Sequence, residues 1–176
     1  MCNYIDVFAE NDADVGTTSL IFQEIDTADT RLLRQPVRRL PYGEVREAVV
    51  NEIEKLTNAG IAQSSTSPWQ LFVVMVLKQH NNWRMCVDYR RLNSITKFDC
   101  FLLPRLHELL DALSGSTMIS SLDHAMGYHQ ILVKPADLEK TVFITHVGFV
   151  EMVKMPFDFC NAQSTYQRIM TGVQHG

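Results

Sequence analysis

No stretch of the 176-residue chain holds the roughly 18 consecutive apolar residues that a membrane-spanning helix needs, although 46% of its residues are hydrophobic. The expectation is a soluble chain without a transmembrane segment. Cysteine is scarce: Cys2, Cys86, Cys100 and Cys160 form no C-x-x-C pair, which argues against a zinc site or a disulfide framework and fits a reducing compartment. Residues 1–30 contain no Lys or Arg, and the start "MCNYIDVFAENDAD" lacks the basic region and apolar stretch of a secretory signal. An intracellular protein, cytoplasmic or nuclear, is expected. There is no internal repeat and no low-complexity tract.

What is present is an acidic leader on a mildly basic body. The formal net charge is −4, yet residues 1–30 carry seven acids, so the remaining 146 residues hold 16 basic against 13 acidic groups, a balance of +3. Such a body permits contact with a phosphate backbone without requiring it, because tight binding needs clustered Lys and Arg that release counterions. The length suits one domain, or one domain with an appendage.

Residues 1–41 mix acids, turn formers and "RLLRQPVRRLP", where Pro36 and Pro41 disfavour helix, and read as an acidic leader and extended arm. From Tyr42, the spacing of Val45, Ala48, Val49, Ile53 and Leu56 predicts an amphipathic helix, with Gly60 at its C-terminal cap. The runs "LFVVMVLK" (71–78) and "NWRMCVDY" (82–89) predict a hairpin around a polar turn at Gln79 to Asn82. Pro104 opens a predicted second helix with Leu106, Leu109, Leu110 and Leu113 on one face and Gly115 after it. "TMISSLD" (117–123) is predicted as a strand ending on Asp123. "ILVK" (131–134), "TVFIT" (141–145) and "FVEMV" (149–153) supply further strands, and a last helix is predicted from near Asn161 to the chain end. The fold class is α+β, an antiparallel sheet with packed helices.

Several stretches are more specific than their periodicity. "STSPW" (65–69), "WRMCVDYRRLN" (83–93), "LPRLHELLDAL" (103–113), "SSLDHAMGYHQI" (120–131), "KTVFIT" (140–145) and "MPFDFCNAQSTYQRIM" (155–170) follow the order and spacing of reverse transcriptase fingers and palm. The chain resembles the pol polyproteins of Ty3/gypsy-type retrotransposons. Its leader is similar to the segment preceding the polymerase in such elements, so the resemblance covers nearly the whole chain. It implies the fingers and incomplete palm of a right-hand polymerase over residues 42–176, after a leader and arm at 1–41.

The resemblance implies RNA-directed DNA polymerase chemistry with two Mg2+ ions, which activate the primer 3′-hydroxyl and neutralise the leaving pyrophosphate. Mg2+ takes oxygen ligands in octahedral geometry, so several carboxylates must converge. Asp123 matches the first catalytic, metal-binding aspartate. The others belong to a later Tyr-x-Asp-Asp hairpin, which the 176 residues do not contain, and a piece truncated before that motif is expected to be inactive alone. Lys78 and Arg84 match fingers residues that grip the incoming triphosphate, although two charges on a hairpin are otherwise simply solvated. Tyr128 matches a ring beneath the sugar that excludes a 2′-hydroxyl, against the plainer reading of a half-buried tyrosine. Phe157 matches a residue near the nucleotide and template base, where a core phenylalanine is the commoner fate. Asp88 and Arg90 match residues that hold the fingers or contact template. The implied partners are an RNA or DNA template–primer and a dNTP, with no membrane, and an incomplete palm invites self-association.

The sequence also departs from the family pattern. A fingers turn of Lys-Lys-Asp-Gly is "KQHN" here, which removes a cation at Gln79 and a glycine at Asn81. Asp158 stands for a family glycine and Gln163 for a family proline, weakening a turn chosen for backbone geometry. His124 replaces an apolar residue beside Asp123. His124, His129 and His146 lack an H-x-x-x-H helix and do not read as a metal site. The alternative to a reverse transcriptase fragment is a non-enzymatic nucleic-acid-binding or protein-interaction module retained from a retroelement.

Overall fold

The computed structural model describes residues 8–9, 15–28, 30, 32–36, 39–78, 83–101 and 105–175. The expected turn at Gln79 to Asn82, Pro104 and most of the leader lie outside these residues.

Helix α1 spans Glu44–Asn58, and its apolar spacing buries Val45 and Val49 while Ile53 and Leu56 pack at the margin of the core. It stops where Gly60 takes φ +64°: the Gly60 N–H donates to Thr57 O at 3.0 Å and the Ile61 N–H to Leu56 O at 2.8 Å, closing the last turn on a residue without a Cβ. Strand β2 is Ala62–Ser64, β3 Leu71–Leu77 and β4 Trp83–Val87. β3 and β4 form the expected antiparallel hairpin, with Val76 opposite Arg84 and Leu77 opposite Trp83. The apolar run of β3 is buried at Leu71 to Val73 and emerges into solvent by Leu77, so one strand serves both the core and a projecting hairpin.

Helix α2, Arg90–Ile95, follows, and α3 is Leu106–Leu113. Strands β5 (Ile131–Val133), β6 (Phe143–Thr145) and β7 (Gly148–Met152) match the three expected runs, and α4 is Ala162–His175. Five strands make one sheet in the order β2-β7-β6-β3-β4, antiparallel except where β3 runs parallel to β6. Phe143, Leu71, Val142, Ile131, Leu92 and Met155 are buried at the centre. Each large apolar side chain removed from water contributes about 1.5–3 kcal/mol, which is what sets the five-stranded sheet against α1.

Two features differ from the sequence reading. Part of the extended arm is built into the fold. Thr18–Gln23 forms β1, parallel to β5, and Ile25 is buried in the core. Asp137 and Lys140, on the 3-10 helix Pro135–Thr141, clamp Ile25. Its N–H donates to Asp137 Oδ2 at 2.9 Å, and its carbonyl accepts from Lys140 Nζ at 2.6 Å.

The expected strand 117–123 does not form. These residues hold no regular secondary structure and are exposed, Met118 at 90% and Leu122 at 84%. The physical reason is pairing: among the described strands none lies beside this segment, and an apolar run without a ladder partner gains nothing from extension. Helix α3 shares the condition. It forms where expected, with Gly115 at φ +83° after it, but its four leucines are exposed.

Candidate functional site

A groove of about 680 Å³ lies between α1, the β3–β4 hairpin and the turn after β7. The hairpin supplies Lys78 and Arg84. Directly opposed residues of an antiparallel pair share a face, so Arg84 lies on the face of Val76, and alternation carries Lys78 to the same face two residues on. Both cations are exposed. Phe157, 39% exposed, lines the same groove from the turn after β7.

Behind Phe157 is a cluster of rings. Tyr128, on the 3-10 helix Gly127–Gln130, meets Phe157 edge-on at 5.4 Å and Tyr166 of α4 at 5.2 Å. His129 is buried, lies 4.9 Å from Phe157, and makes a 3.1 Å hydrogen bond through Nδ1 with Met155 O. Burial pushes its pKa below the ordinary 6.5, and the charge of Lys154 pushes the same way. The contacts are edge-to-face, the arrangement ring quadrupoles favour. Tyr128 and Phe157 therefore hold each other, while Lys78 and Arg84 face the same groove.

Asp123 stands apart from the groove lining. It is exposed, and its charge is felt at Tyr166, whose phenol is raised mainly by burial and further by Tyr128 and Asp123. Next to it, His124 Nδ1 hydrogen-bonds the Tyr166 hydroxyl, which also sits over Gly127: a Cβ there would lie 2.8 Å from Tyr166 Oη. Asp123 is thus tied to the cluster through α4, the helix that "STYQRIM" builds.

Asp88 and Arg90 bind each other. Arg90 Nε donates to Asp88 Oδ1 at 2.9 Å, Nη2 to Oδ2 at 2.6 Å, and the Arg90 backbone N–H also donates to Oδ1 at 3.1 Å. The carboxylate raises the Arg90 pKa. The pair borders a second depression of about 410 Å³ with Asn93 and Asp158. Asp158, where the resemblance implies glycine, takes φ +71°, a conformation Asp tolerates better than most residues. Asn93 splints this turn: its Nδ2 donates to Asp158 O at 2.7 Å and its Oδ1 accepts from the Cys160 N–H at 3.2 Å.

Residues that sequence reading missed are Glu52 and Lys55 on the rim of the first groove, Asn93, and the Tyr166 hydroxyl. Among the described residues the groove lining holds Lys55, Lys78 and Arg84 against Glu52 and Asp158, a small positive excess. Nothing in the local sequence of α1 shows which polar residues face the hairpin. Tyr166 lies within "STYQRIM", and its hydroxyl is the signal that could have found it.

A family model described as "Reverse transcriptase (RNA-dependent DNA polymerase)" matches residues 76–176. The chain is 33% identical over 165 residues to the Retrovirus-related Pol polyprotein from transposon gypsy of Drosophila melanogaster, covering 88% of the chain and 16% of that polyprotein. It is 32% identical over 142 residues to the Pol polyprotein from transposon 297 of the same organism, covering 77% of the chain and 13% of the relative. The fold resembles that of the foamy viral protease-reverse transcriptase in complex with RNA/DNA hybrid, with TM-score 0.74, 16% identity, and coverage of 92% of this chain and 22% of that one. The chain therefore spans a small part of the length of these relatives.

Proposed function

The chain belongs to the reverse transcriptase family, among the Pol polyproteins of Ty3/gypsy-type retrotransposons, and we propose that its groove receives the incoming nucleoside triphosphate of template-directed DNA synthesis. One observation carries this reading: Lys78, Arg84 and Phe157 line a single groove, with Tyr128 packed edge-on against Phe157. A guanidinium gives forked hydrogen bonds to phosphate oxygens and an ammonium adds a point charge. Tyr128 is proposed to stand under the sugar, where it would collide with a 2′-hydroxyl. Arg90, held by Asp88, is proposed to face the template strand. Lys55 on the opposite rim adds to the attraction for a polyanion, and Asp158 opposes it.

Reverse transcriptases use divalent metal ions, and Asp123 is the residue of this chain proposed to donate a carboxylate to one. Among the described residues no three His, Cys, Asp or Glu side chains converge on a cation site. One exposed carboxylate supplies too few oxygens for octahedral Mg2+. The donor set falls short of a two-ion centre, and the proposal for these residues is limited to binding and orienting nucleotide.

Equilibrium binding of a dNTP tests the proposal. Arg84→Gln is expected to weaken affinity about tenfold, the size of one lost charge-assisted contact, and Lys78→Gln by less. Unchanged affinity in both variants would overturn it.

A further inference from the structure

The turn that joins Asp123 to Tyr128 is held at His124, Ala125, Met126 and Gly127, although the segment before it has no strand partner among the described residues. Met126 takes φ +45°, a left-handed conformation that a residue with a long side chain keeps only when its surroundings over-determine it. Hydrogen bonds supply that constraint. The His129 N–H donates to Met126 O at 2.8 Å, Gln130 Nε2 donates to Ala125 O at 2.9 Å, and His124 Nδ1 is hydrogen-bonded to the Tyr166 hydroxyl. The last of these ties the turn to α4.

Tyr166 reaches Gly127 and Tyr128 at once. A Cβ on Gly127 would lie 2.8 Å from the Tyr166 hydroxyl oxygen, so the ring rests on the backbone of the turn, and its centroid stands 5.2 Å from that of Tyr128. Phe157 meets Tyr128 edge-on at 5.4 Å from the side of the groove. Ring contacts set the spacing of these side chains, and a directional hydrogen bond at the far end of Tyr166 sets its tilt as well. His124 makes that bond, with its own ring edge-on to Tyr166 at 6.2 Å. The bond is exposed, so water competes for it and its effect is modest.

We propose that His124 and the Tyr166 hydroxyl are positioning residues for Tyr128, which lock its ring where it meets the nucleotide sugar and so sharpen selection of deoxyribonucleotides over ribonucleotides. The inference rests on the nucleotide reading of the groove and adds to it two residues outside the groove lining. Their effect must pass through Tyr128.

The test compares equilibrium binding of dGTP and GTP to the 176-residue chain. Tyr166→Phe keeps the ring and loses the hydroxyl, whereas His124→Leu keeps side-chain bulk and loses the ring nitrogen. Each is expected to lower the ratio of dGTP to GTP affinity about threefold, the effect of one exposed hydrogen bond. The double variant should fall no further than either single one, because both remove the same bond. In a Tyr128→Ala background neither substitution should change the ratio, a result that general loosening of the fold would not give. No preference in the wild-type chain, an unchanged ratio in both single variants, additive losses in the double variant, or equal losses with and without Tyr128 would overturn the inference. If Arg84→Gln still weakens dGTP binding in that case, the nucleotide reading survives it. Absence of saturable dGTP binding to the wild-type chain would overturn both.

Discussion

At the scale of single residues, the groove depends on contacts that leave little slack. Gly127 is the clearest case, since a Cβ there meets the Tyr166 ring and hydroxyl at 2.8–3.1 Å. Gly127→Ala is expected to destabilise the chain by about 1–3 kcal/mol, the cost of overpacking, and to cost less in a Tyr166→Ala background; equal losses in both backgrounds, measured by urea unfolding, would count against the contact. His129 gives a pH dependence with a definite sign. Its pKa is depressed in the fold, so the unfolded chain binds a proton first as pH falls below about 6.5, and stability contributed by the neutral ring is lost as acid is added. Unfolding free energy should therefore fall between pH 7.5 and 5.5, and fall less in His129→Gln. Lys78, Arg84, Tyr128 and Phe157 are site candidates through the resemblance alone, since residue type by itself reads them as solvated charges and packed rings. Asn93 is not legible in the sequence, because it acts only through neighbours 65 residues or more away.

At the scale of elements, helix period and the Gly60 cap made α1 legible, and apolar strand runs bounded by turn signals made the β3–β4 hairpin and β5 to β7 legible. β1 escaped because its partner is parallel and over a hundred residues distant, so no turn signal joins them. β2 has three residues and little pattern to show. The strand expected at 117–123 and the leucines of α3 failed for one reason. Periodicity reports which face would be buried, and says nothing of whether a surface exists to bury it. A helix of eight residues with no buried side chain has neither the length nor the packing to persist alone. Amide hydrogen exchange should accordingly be fastest in α3 among the helices and slow in α1. The first half of α4, anchored by buried Ser164 and Thr165 and by the Arg168–Asp99 pair at 2.9 Å, should be protected too. Protection of α3 equal to that of α1 in a monomer would show that its leucines find a surface within the chain.

At the scale of the whole molecule, an acidic leader precedes a basic body, and the junction is not where charge alone would put it. Deleting residues 1–30 would remove β1 and buried Ile25 along with the acids, whereas deleting residues 1–14 removes four acids and leaves β1 whole. The shorter deletion should strengthen template–primer binding at low salt, with the difference shrinking as salt rises; unchanged affinity at both salt concentrations would remove the charge argument. Among the described residues no carboxylates converge around Asp123, the proposed metal ligand, so the 176-residue chain should not extend a primer on an RNA template with Mg2+ or Mn2+, and extension lost in Asp123→Ala would contradict that. Whether the groove grips a nucleoside triphosphate is read most directly from an NMR footprint of a dNTP on the 176-residue chain. The first resonances to move are expected to be those of Lys78, Arg84, Tyr128 and Phe157, with a ribonucleotide binding more weakly until Tyr128→Ala removes the difference. Saturable binding that leaves those four residues silent would contradict it.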